Sequence, residues 1–332
     1  MSRLSLQREQ NTAQWQRKAP LGKRVRAHSM FYILLLPALL MIIVFSYIPM
    51  GGIILAFKQY QFNRPSALGD VPILRFFGQM MNMKWVGLKW FENIFAKPDF
   101  WQAFRNTLFI SFGRIVFEFP IPILLALLMN EMYHQRLKRV YQTVYTFPHF
   151  LSWVLVASLM NTLFLSDGTV NAIIKSLGGQ PVRFLTDPVI FRPMLFITSI
   201  WKSAGWSSII YMATISGIDP SLYEAAAIDG ANRLQSCRYI TWPALKPTVV
   251  ILLILKCGNI LNAGFDQVFN MYNDLTLPVA DIFDTFIYRY AFQKGQNLSL
   301  SVAAGLFKSV INFALLVTVN FLAKATGEEG LM

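Results

Sequence analysis

Apolar residues in this chain gather into six long runs separated by polar segments. A run of about 20 apolar residues is long enough to cross the hydrocarbon core of a bilayer as an α-helix. The expected fold class is therefore all-α, a polytopic helical bundle in a membrane. The six predicted membrane helices lie at residues 30–56, 106–130, 141–165, 194–215, 247–264 and 301–322.

The segment before the first run is basic, because residues 1–29 carry seven Lys and Arg against one Glu. The run that follows is longer than the roughly 7–15 apolar residues of a secretory signal, so we interpret it as an uncleaved first helix. Six helices put both termini on one side, and the basic tail predicts that this side is the cytoplasm. The short loop with Arg136, Lys138 and Arg139 favours the same orientation, whereas the basic loop 57–101 is long and long loops cross with less regard for charge.

Composition supports a membrane protein and argues against other classes. Apolar residues make up 55% of the chain and charged residues 14%, whereas a soluble domain carries about 25% charged residues. Only two cysteines are present, so a disulfide scaffold is excluded. The net charge of +13 fits basic cytoplasmic segments, and no basic stripe with interleaved aromatics indicates nucleic-acid binding.

The sequence lacks the motifs of common enzyme sites. It has no G-x-x-x-x-G-K-[ST] phosphate loop, no H-E-x-x-H pair and no G-x-S-x-G elbow. Its three histidines are far apart, which makes a zinc site unexpected. We therefore expect no catalytic residues, no metal site and no cofactor bound by this chain.

The loop between the fourth and fifth runs, residues 217–246, has an ordered set of local signals. Asp219 and Pro220 are favoured at the N-cap and first position of a helix, and Gly230 is favoured where a helix must stop. The three consecutive alanines at 225–227 form a surface with little side-chain bulk, and Glu224 beside them adds a carboxylate. The pattern predicts a short helix, a sharp turn and a second short helix.

This loop resembles the EAA loop of ABC importer membrane subunits, whose pattern is E-A-A-x3-G-x9-I-x-L-P. The residues that carry the resemblance are Glu224, Ala225, Ala226, Asp229, Gly230, Ile240 and Pro243, and Trp242 stands where the family prefers Leu. Stretches at 86–91, 99–107, 146–153, 200–206 and 305–310 are similar to sugar permeases of the maltose-transporter type. The last three are similar above all to the polysaccharide-permease branch, which includes importers of acidic polysaccharides such as alginate.

The resemblance implies a type I ABC importer transmembrane fold in the cytoplasmic membrane. It also implies partners: a second homologous permease, two ABC ATPases that bind ATP and Mg and grip the EAA loops, and an extracytoplasmic solute-binding protein. The domain organisation expected is a cytoplasmic tail at 1–29, a first helix at 30–56, an extracytoplasmic loop at 57–101, a core at 102–323 with its coupling loop at 217–246, and a cytoplasmic tail at 324–332.

Charged residues inside the predicted helices indicate where a substrate could pass, because each costs roughly 2.5–3.5 kcal/mol to insert. Arg114, Lys202 and Lys308 fall in the outer halves of their helices and could form a basic vestibule for an anionic sugar. The alternative is structural: Arg114 pairs with Glu118 one turn away, and the lysines snorkel or bond to carbonyl groups. The remaining candidates for the substrate path are Trp206, Tyr211, Lys256, Asn259 and Asn262.

Three functions remain open from the sequence. The first is a sugar-importing ABC permease subunit, with an acidic or a neutral oligosaccharide as substrate. The second is an ion-coupled secondary transporter, which would need buried carboxylates, and Glu118 is the membrane carboxylate that the pattern reveals. The third is a scaffold without a transport path. The EAA loop favours the first.

Overall fold

The computed structural model describes residues 28–60, 78–293 and 297–325. Within these ranges the regular structure is helical, apart from an isolated β-bridge between Lys58 and Trp85. The basic tail predicted at 1–29 lies almost wholly outside the described residues, as does most of the predicted C-terminal tail.

Five helices in the described ranges are long and apolar enough to cross a membrane. They are α1 (Ser29–Phe57), α2 (Pro98–Asn130), α3 (Trp153–Ser176, with a turn at 165–168), α5 (Arg233–Gly258) and α6 (Leu298–Ala325). A sixth helix, α4 (Pro188–Ser216), has 29 residues and covers the predicted segment 194–215. Its arginine, lysine and hydroxyl side chains lower its hydropathy below that of the five.

The chain divides into two compact units, residues 1–54 and 55–332. In the first unit, α1 is apolar throughout, and none of its residues from Ser29 to Met50 is buried. Pro37 lies inside the helix, and a wider turn at Ile43–Tyr47 precedes Pro49. Such irregularities are tolerated in membrane helices.

The second unit is held together by apolar clusters between its helices. The start of α2 packs through Phe100 against Phe283 and Phe286, and Ala303 of α6 completes this cluster. The rings of Phe100 and Phe283 meet edge to face, with centroids 5.3 Å apart. A second cluster joins the middle of α2 and α4 to α3, and a third joins the ends of α2 and α4 to α5.

The predicted third helix at 141–165 is corrected by the structure, which divides it in two. One helix covers Gln135–Thr146, a tight turn covers Phe147–Phe150, and α3 begins at Trp153. Pro148 has no amide hydrogen to continue the first helix, and Ser152 caps the second by accepting a hydrogen bond from the amide of Leu155.

The predicted fifth helix at 247–264 is shifted in the structure. The helix α5 already begins at Arg233, so Pro247 lies inside it, and the helix ends at Gly258. A π-helical turn at Cys237–Thr241 precedes Pro243 and Pro247, and such a turn accommodates the hydrogen bonds that prolines cannot make. Residues 259–264 are not helical.

After this break the chain forms short helices before α6. They cover Phe265–Met271, Leu277–Ala280 and Phe283–Tyr288. Asp281 is buried among them and forms an ion pair with Arg289, while it accepts a hydrogen bond from Thr285 at 2.7 Å. Burial raises the pKa of the Asp281 carboxyl, and the nearby Arg289 opposes that rise.

Candidate functional site: an exposed loop and a polar cavity

The short helix Pro220–Ile228, which we call the EAA helix, begins as its sequence predicts. Asp219 is the N-cap, and its carboxylate accepts a hydrogen bond from the amide of Ser221 at 3.0 Å. That backbone hydrogen bond lowers the pKa of Asp219. Pro220 occupies the first helical turn, where no amide hydrogen is needed.

The EAA helix ends in a left-handed turn at Gly230. Gly230 has a φ of +77°, which glycine adopts without the strain that other residues incur. Its amide donates to the carbonyl of Ala227 at 3.1 Å, and the amide of Ala231 donates to that of Ala226 at 2.9 Å. Asn232 and Gln235 then cap α5 with reciprocal hydrogen bonds. The turn therefore leads the chain directly from the EAA helix into α5.

The residues predicted to contact an ATPase are largely accessible. Glu224, Ala225, Asp229, Gly230 and Pro243 are exposed, whereas Ala226 and Ile240 are half-buried. Apolar side chains around them are also exposed: Ile228 by 87%, Leu234 by 77% and Leu222 by 52%. Exposed apolar residues in such a cluster are typical of a surface that binds another protein.

A polar cluster lies between α2, α4 and α5. Glu118 is buried, with its Oε1 3.4 Å from Nη1 of Arg114 and its Oε2 3.7 Å from Nζ of Lys256. The side chain of Lys256 is 37% exposed, compared with 13% for Arg114. Two cations thus share one carboxylate, and the more accessible cation has the weaker contact.

Arg114 also connects this cluster to the short helices beyond α5. Its guanidinium donates to Ser199 Oγ of α4 at 3.1 Å and to the side-chain oxygen of Gln267. Gln267 in turn donates to the carbonyl of Leu195 at 2.7 Å. Ser111 Oγ and Arg114 Nε are buried without a hydrogen-bond partner among the described residues.

Two cavities adjoin this cluster, and Lys256 lines both of them. The first, of about 350 Å³, is lined by polar and apolar residues: Ser111, Arg114, Ile115, Leu255, Lys256, Asn259, Ile260 and Asn262. The second, of about 210 Å³, is lined by Glu118, Phe119, Pro122, Ser203, Trp206, Ser207, Ile210, Tyr211, Leu252 and Lys256. We refer to them as the amide cavity and the indole cavity.

The structure does not bring the three cations of the predicted basic vestibule to one cavity. Arg114 lines the amide cavity, but Lys202 donates to the carbonyl of His149 at 2.7 Å and lies 5.3 Å from the ring of Trp153. Lys308 forms an ion pair with Asp284 at 2.6 Å. The structural alternative therefore describes Lys202, which bonds to a carbonyl, and Arg114, which pairs with Glu118. Neither interpretation foresaw the carboxylate partner of Lys308.

The other predicted substrate-path residues lie at the two cavities. Asn259 and Asn262 are exposed in the break after α5, and Nδ2 of Asn262 donates a hydrogen bond to Oδ1 of Asn259 at 3.2 Å. Trp206 is 46% exposed and stacks on His149 with ring centroids 4.6 Å apart. Tyr211 is only 2% exposed, so its ring mainly forms part of the wall.

Sequence reasoning missed the serines of the cluster. Ser199, Ser203 and Ser207 recur at every fourth position of α4, which puts them on one helix face. This regular spacing was the signal that could have revealed the stripe. Gln267 could not have been found in this way, because it follows the unforeseen break in the fifth helix.

Comparison with known proteins assigns the family. Residues 118–327 match the model for the binding-protein-dependent transport system inner membrane component. Protein LplB of Bacillus subtilis (strain 168) is 42% identical over 301 residues, which cover 90% of each chain. The polygalacturonan/rhamnogalacturonan transport system permease protein YteP of the same organism is also 42% identical, over 90% of this chain and 89% of its own length.

A solved structure agrees with these relatives. The chain is similar to one in the crystal structure of a bacterial alginate ABC transporter in complex with an alginate pentasaccharide-bound periplasmic protein. The TM-score is 0.82 with 35% sequence identity, and the match covers 94% of this chain and 100% of that one. With its membrane-length helices, its EAA loop and these matches, the chain belongs to the family of binding-protein-dependent transport system inner membrane components.

Proposed function

We propose that this chain is the membrane-spanning subunit of an ATP-driven importer for an acidic oligo- or polysaccharide. Two comparisons support a saccharide that carries carboxylates. The relative YteP is named for polygalacturonan and rhamnogalacturonan, and the similar solved transporter is described with alginate. All three glycans contain uronate sugars, so the class of substrate suggested is a chain of sugars with carboxylate groups.

The observation that carries the proposal is the charge of the polar cluster. Arg114 and Lys256 together contribute two positive charges, and Glu118 contributes one negative charge, so one positive charge remains. Lys256 is the accessible cation, and its ammonium is 3.7 Å from the carboxylate. A uronate carboxylate entering either cavity can pair with it, and the low dielectric of the bundle strengthens that pairing.

The remaining lining groups suit the rest of a sugar ring. The amides of Asn259 and Asn262 can donate to and accept from hydroxyl groups, and Ser203 and Ser207 offer further hydroxyls. Trp206 is 46% exposed and lines the indole cavity, where a pyranose ring can pack against it. Amide, hydroxyl and indole groups together can orient a polar ligand, and they add no further charge to the cavities.

The partners in this proposal come from the family and from the exposed EAA helix. A second homologous permease completes the pathway, and an extracytoplasmic solute-binding protein delivers the saccharide. Two ATPase subunits bind ATP and Mg, and each docks on one EAA loop. Both termini of this chain then face the cytoplasm, since the EAA loop must do so.

Two alternative functions predict different behaviour. A neutral oligosaccharide gives Lys256 no charge partner, so that cation would only add a desolvation cost. An ion-coupled transporter needs a carboxylate free to take up a proton or sodium ion, whereas Glu118 contacts two cations. The charge of the cluster favours the acidic-saccharide importer over both.

The test is uptake of a uronate oligomer and a neutral oligomer of equal length by the reconstituted importer. With Lys256→Gln, uronate uptake falls about tenfold, the effect of losing roughly 1.4 kcal/mol of binding. The loss is larger at low ionic strength, where screening is weak. Lys308→Gln is the control, because neither Lys308 nor its partner Asp284 lines either cavity, so this substitution affects the uptake of both oligomers alike. If Lys256→Gln reduces the uptake of both oligomers equally and independently of salt, the proposal of an acidic substrate is contradicted.

A further inference from the structure

The EAA helix is attached to the rest of the molecule mainly through one face. None of its nine residues is buried, and those that are half-buried are Tyr223 and Ala226, three positions apart. Residues three apart lie on the same side of a helix. Tyr223 and Ala226 therefore form the inner face, while Glu224 and Ala225 point away from it.

Tyr223 reaches α5 through its hydroxyl group. The hydroxyl lies 2.9 Å from Oγ1 of Thr241, which is a hydrogen bond between two segments 18 positions apart. Thr241 is 1% exposed and ends the π-helical turn at Cys237–Thr241. Leu245, one turn further along, is fully buried against Ile215 in the cluster that joins α2, α4 and α5. The phenol is thus anchored at a firmly packed point.

From that point α5 runs without a break to the polar cavities. Lys256 follows Thr241 by 15 residues, which at about 1.5 Å per residue is roughly 22 Å along the helix. Lys256 lies near its far end and lines both the amide and the indole cavity. If α5 moved as a rigid rod from its base, the separation between Lys256 and Glu118, which is 3.7 Å in this structure, would change with it.

The turn at Gly230 alone does not fix the EAA helix to α5, because its residues are exposed and a backbone can rotate there. The Tyr223–Thr241 hydrogen bond closes a ring across this turn, since it joins residues on both sides of it. We propose that Tyr223 is a positioning residue that transmits movement of the EAA helix, through Thr241 and α5, to Lys256. This inference rests on the proposed function, in which an ATPase moves the EAA helix.

The test uses the complete importer in proteoliposomes and measures saccharide transported per ATP hydrolysed. Tyr223→Phe keeps the ring and removes the hydroxyl, and Thr241→Val keeps the shape of the threonine. Each variant lowers the transport-to-hydrolysis ratio by about two- to tenfold, the factor that corresponds to one ordinary hydrogen bond. The double variant is no worse than either single variant, because both remove the same bond.

Tyr133→Phe is the matched control, because Tyr133 is 85% exposed outside the loop 217–246 and its hydroxyl has no hydrogen-bond partner among the described residues. Its transport-to-hydrolysis ratio stays at the wild-type value. An unchanged ratio in Tyr223→Phe and Thr241→Val overturns the inference, even if their unfolding temperatures fall. The inference is also overturned if the loss of the transport-to-hydrolysis ratio in the double variant is the product of the losses in the two single variants. A wild-type importer that couples no uptake to ATP instead contradicts the proposed function itself.

Discussion

Gly264, in the break after α5, satisfies two requirements that a larger residue could not. Its φ is +82°, in the left-handed region, where a side chain costs about 1–2 kcal/mol. A Cβ atom at this position would lie 2.6 Å from Nη2 of Arg114. The guanidinium is held there by Ser199 and Gln267 and cannot retreat without losing those hydrogen bonds.

We therefore expect Gly264→Ala to reduce both stability and uptake. Gly178→Ala is the matched control, because Gly178 has the same φ of +82° but nothing within 4 Å of the added Cβ. Both variants incur the backbone cost, and only Gly264→Ala displaces Arg114 as well. Uptake and thermal unfolding of the two importers are compared, and equal losses in both would show that the contact with Arg114 has no consequence.

Single residues also show what the sequence can and cannot reveal about the site. A charge in an apolar helix is conspicuous, so Arg114, Lys202 and Lys308 could be identified from the sequence. The partners of these cations could not be identified from the sequence. The exception is Glu118, which is one helical turn from Arg114. Lys308 pairs with Asp284, 24 positions away, and Lys202 bonds to a backbone carbonyl, which every residue possesses. Three-dimensional packing decides such contacts.

At the scale of elements, apolar runs predict the long helices well, and the errors concern two prolines and the unforeseen end of α5 at Gly258. The segments around 106–130, 194–215 and 301–322 all lie within observed helices. Pro148 divides the predicted third helix, whereas Pro247 lies inside α5 without ending it. A proline in a membrane helix can end the helix, or a π-helical turn can accommodate the hydrogen bond that the proline does not make. The local sequence does not distinguish the two outcomes.

The EAA helix gives a prediction about the turn that ends it. At Gly230 an added Cβ has nothing within 4 Å, so a substitution acts through the backbone conformation alone. Gly230→Val should uncouple ATP hydrolysis from uptake, because a β-branched residue is strained at a φ of +77°. Gly230→Asn should retain most coupling, since asparagine tolerates the left-handed region. Normal transport per ATP with valine would contradict this account of the turn.

At the scale of the whole molecule, orientation in the membrane can be tested with the free cysteines. Cys237 lies in the loop region that we expect in the cytoplasm, and Cys257 lies near the far end of α5. In a Cys257→Ser variant, a membrane-impermeant maleimide should label Cys237 in inside-out vesicles and not in intact cells. Bound ATPase should reduce the labelling. Labelling from outside intact cells would reverse the topology and remove the EAA helix from reach of any ATPase.

The central claim is that this chain moves an acidic saccharide only when partner ATPases hydrolyse ATP. The most direct measurement is accumulation of a radiolabelled uronate oligomer in proteoliposomes that contain this chain, its partner permease, the ATPases and the solute-binding protein. We predict accumulation that requires ATP and every subunit, and that persists when ionophores abolish ion gradients. Accumulation by this chain without the ATPases, or accumulation that ionophores abolish, would contradict the claim.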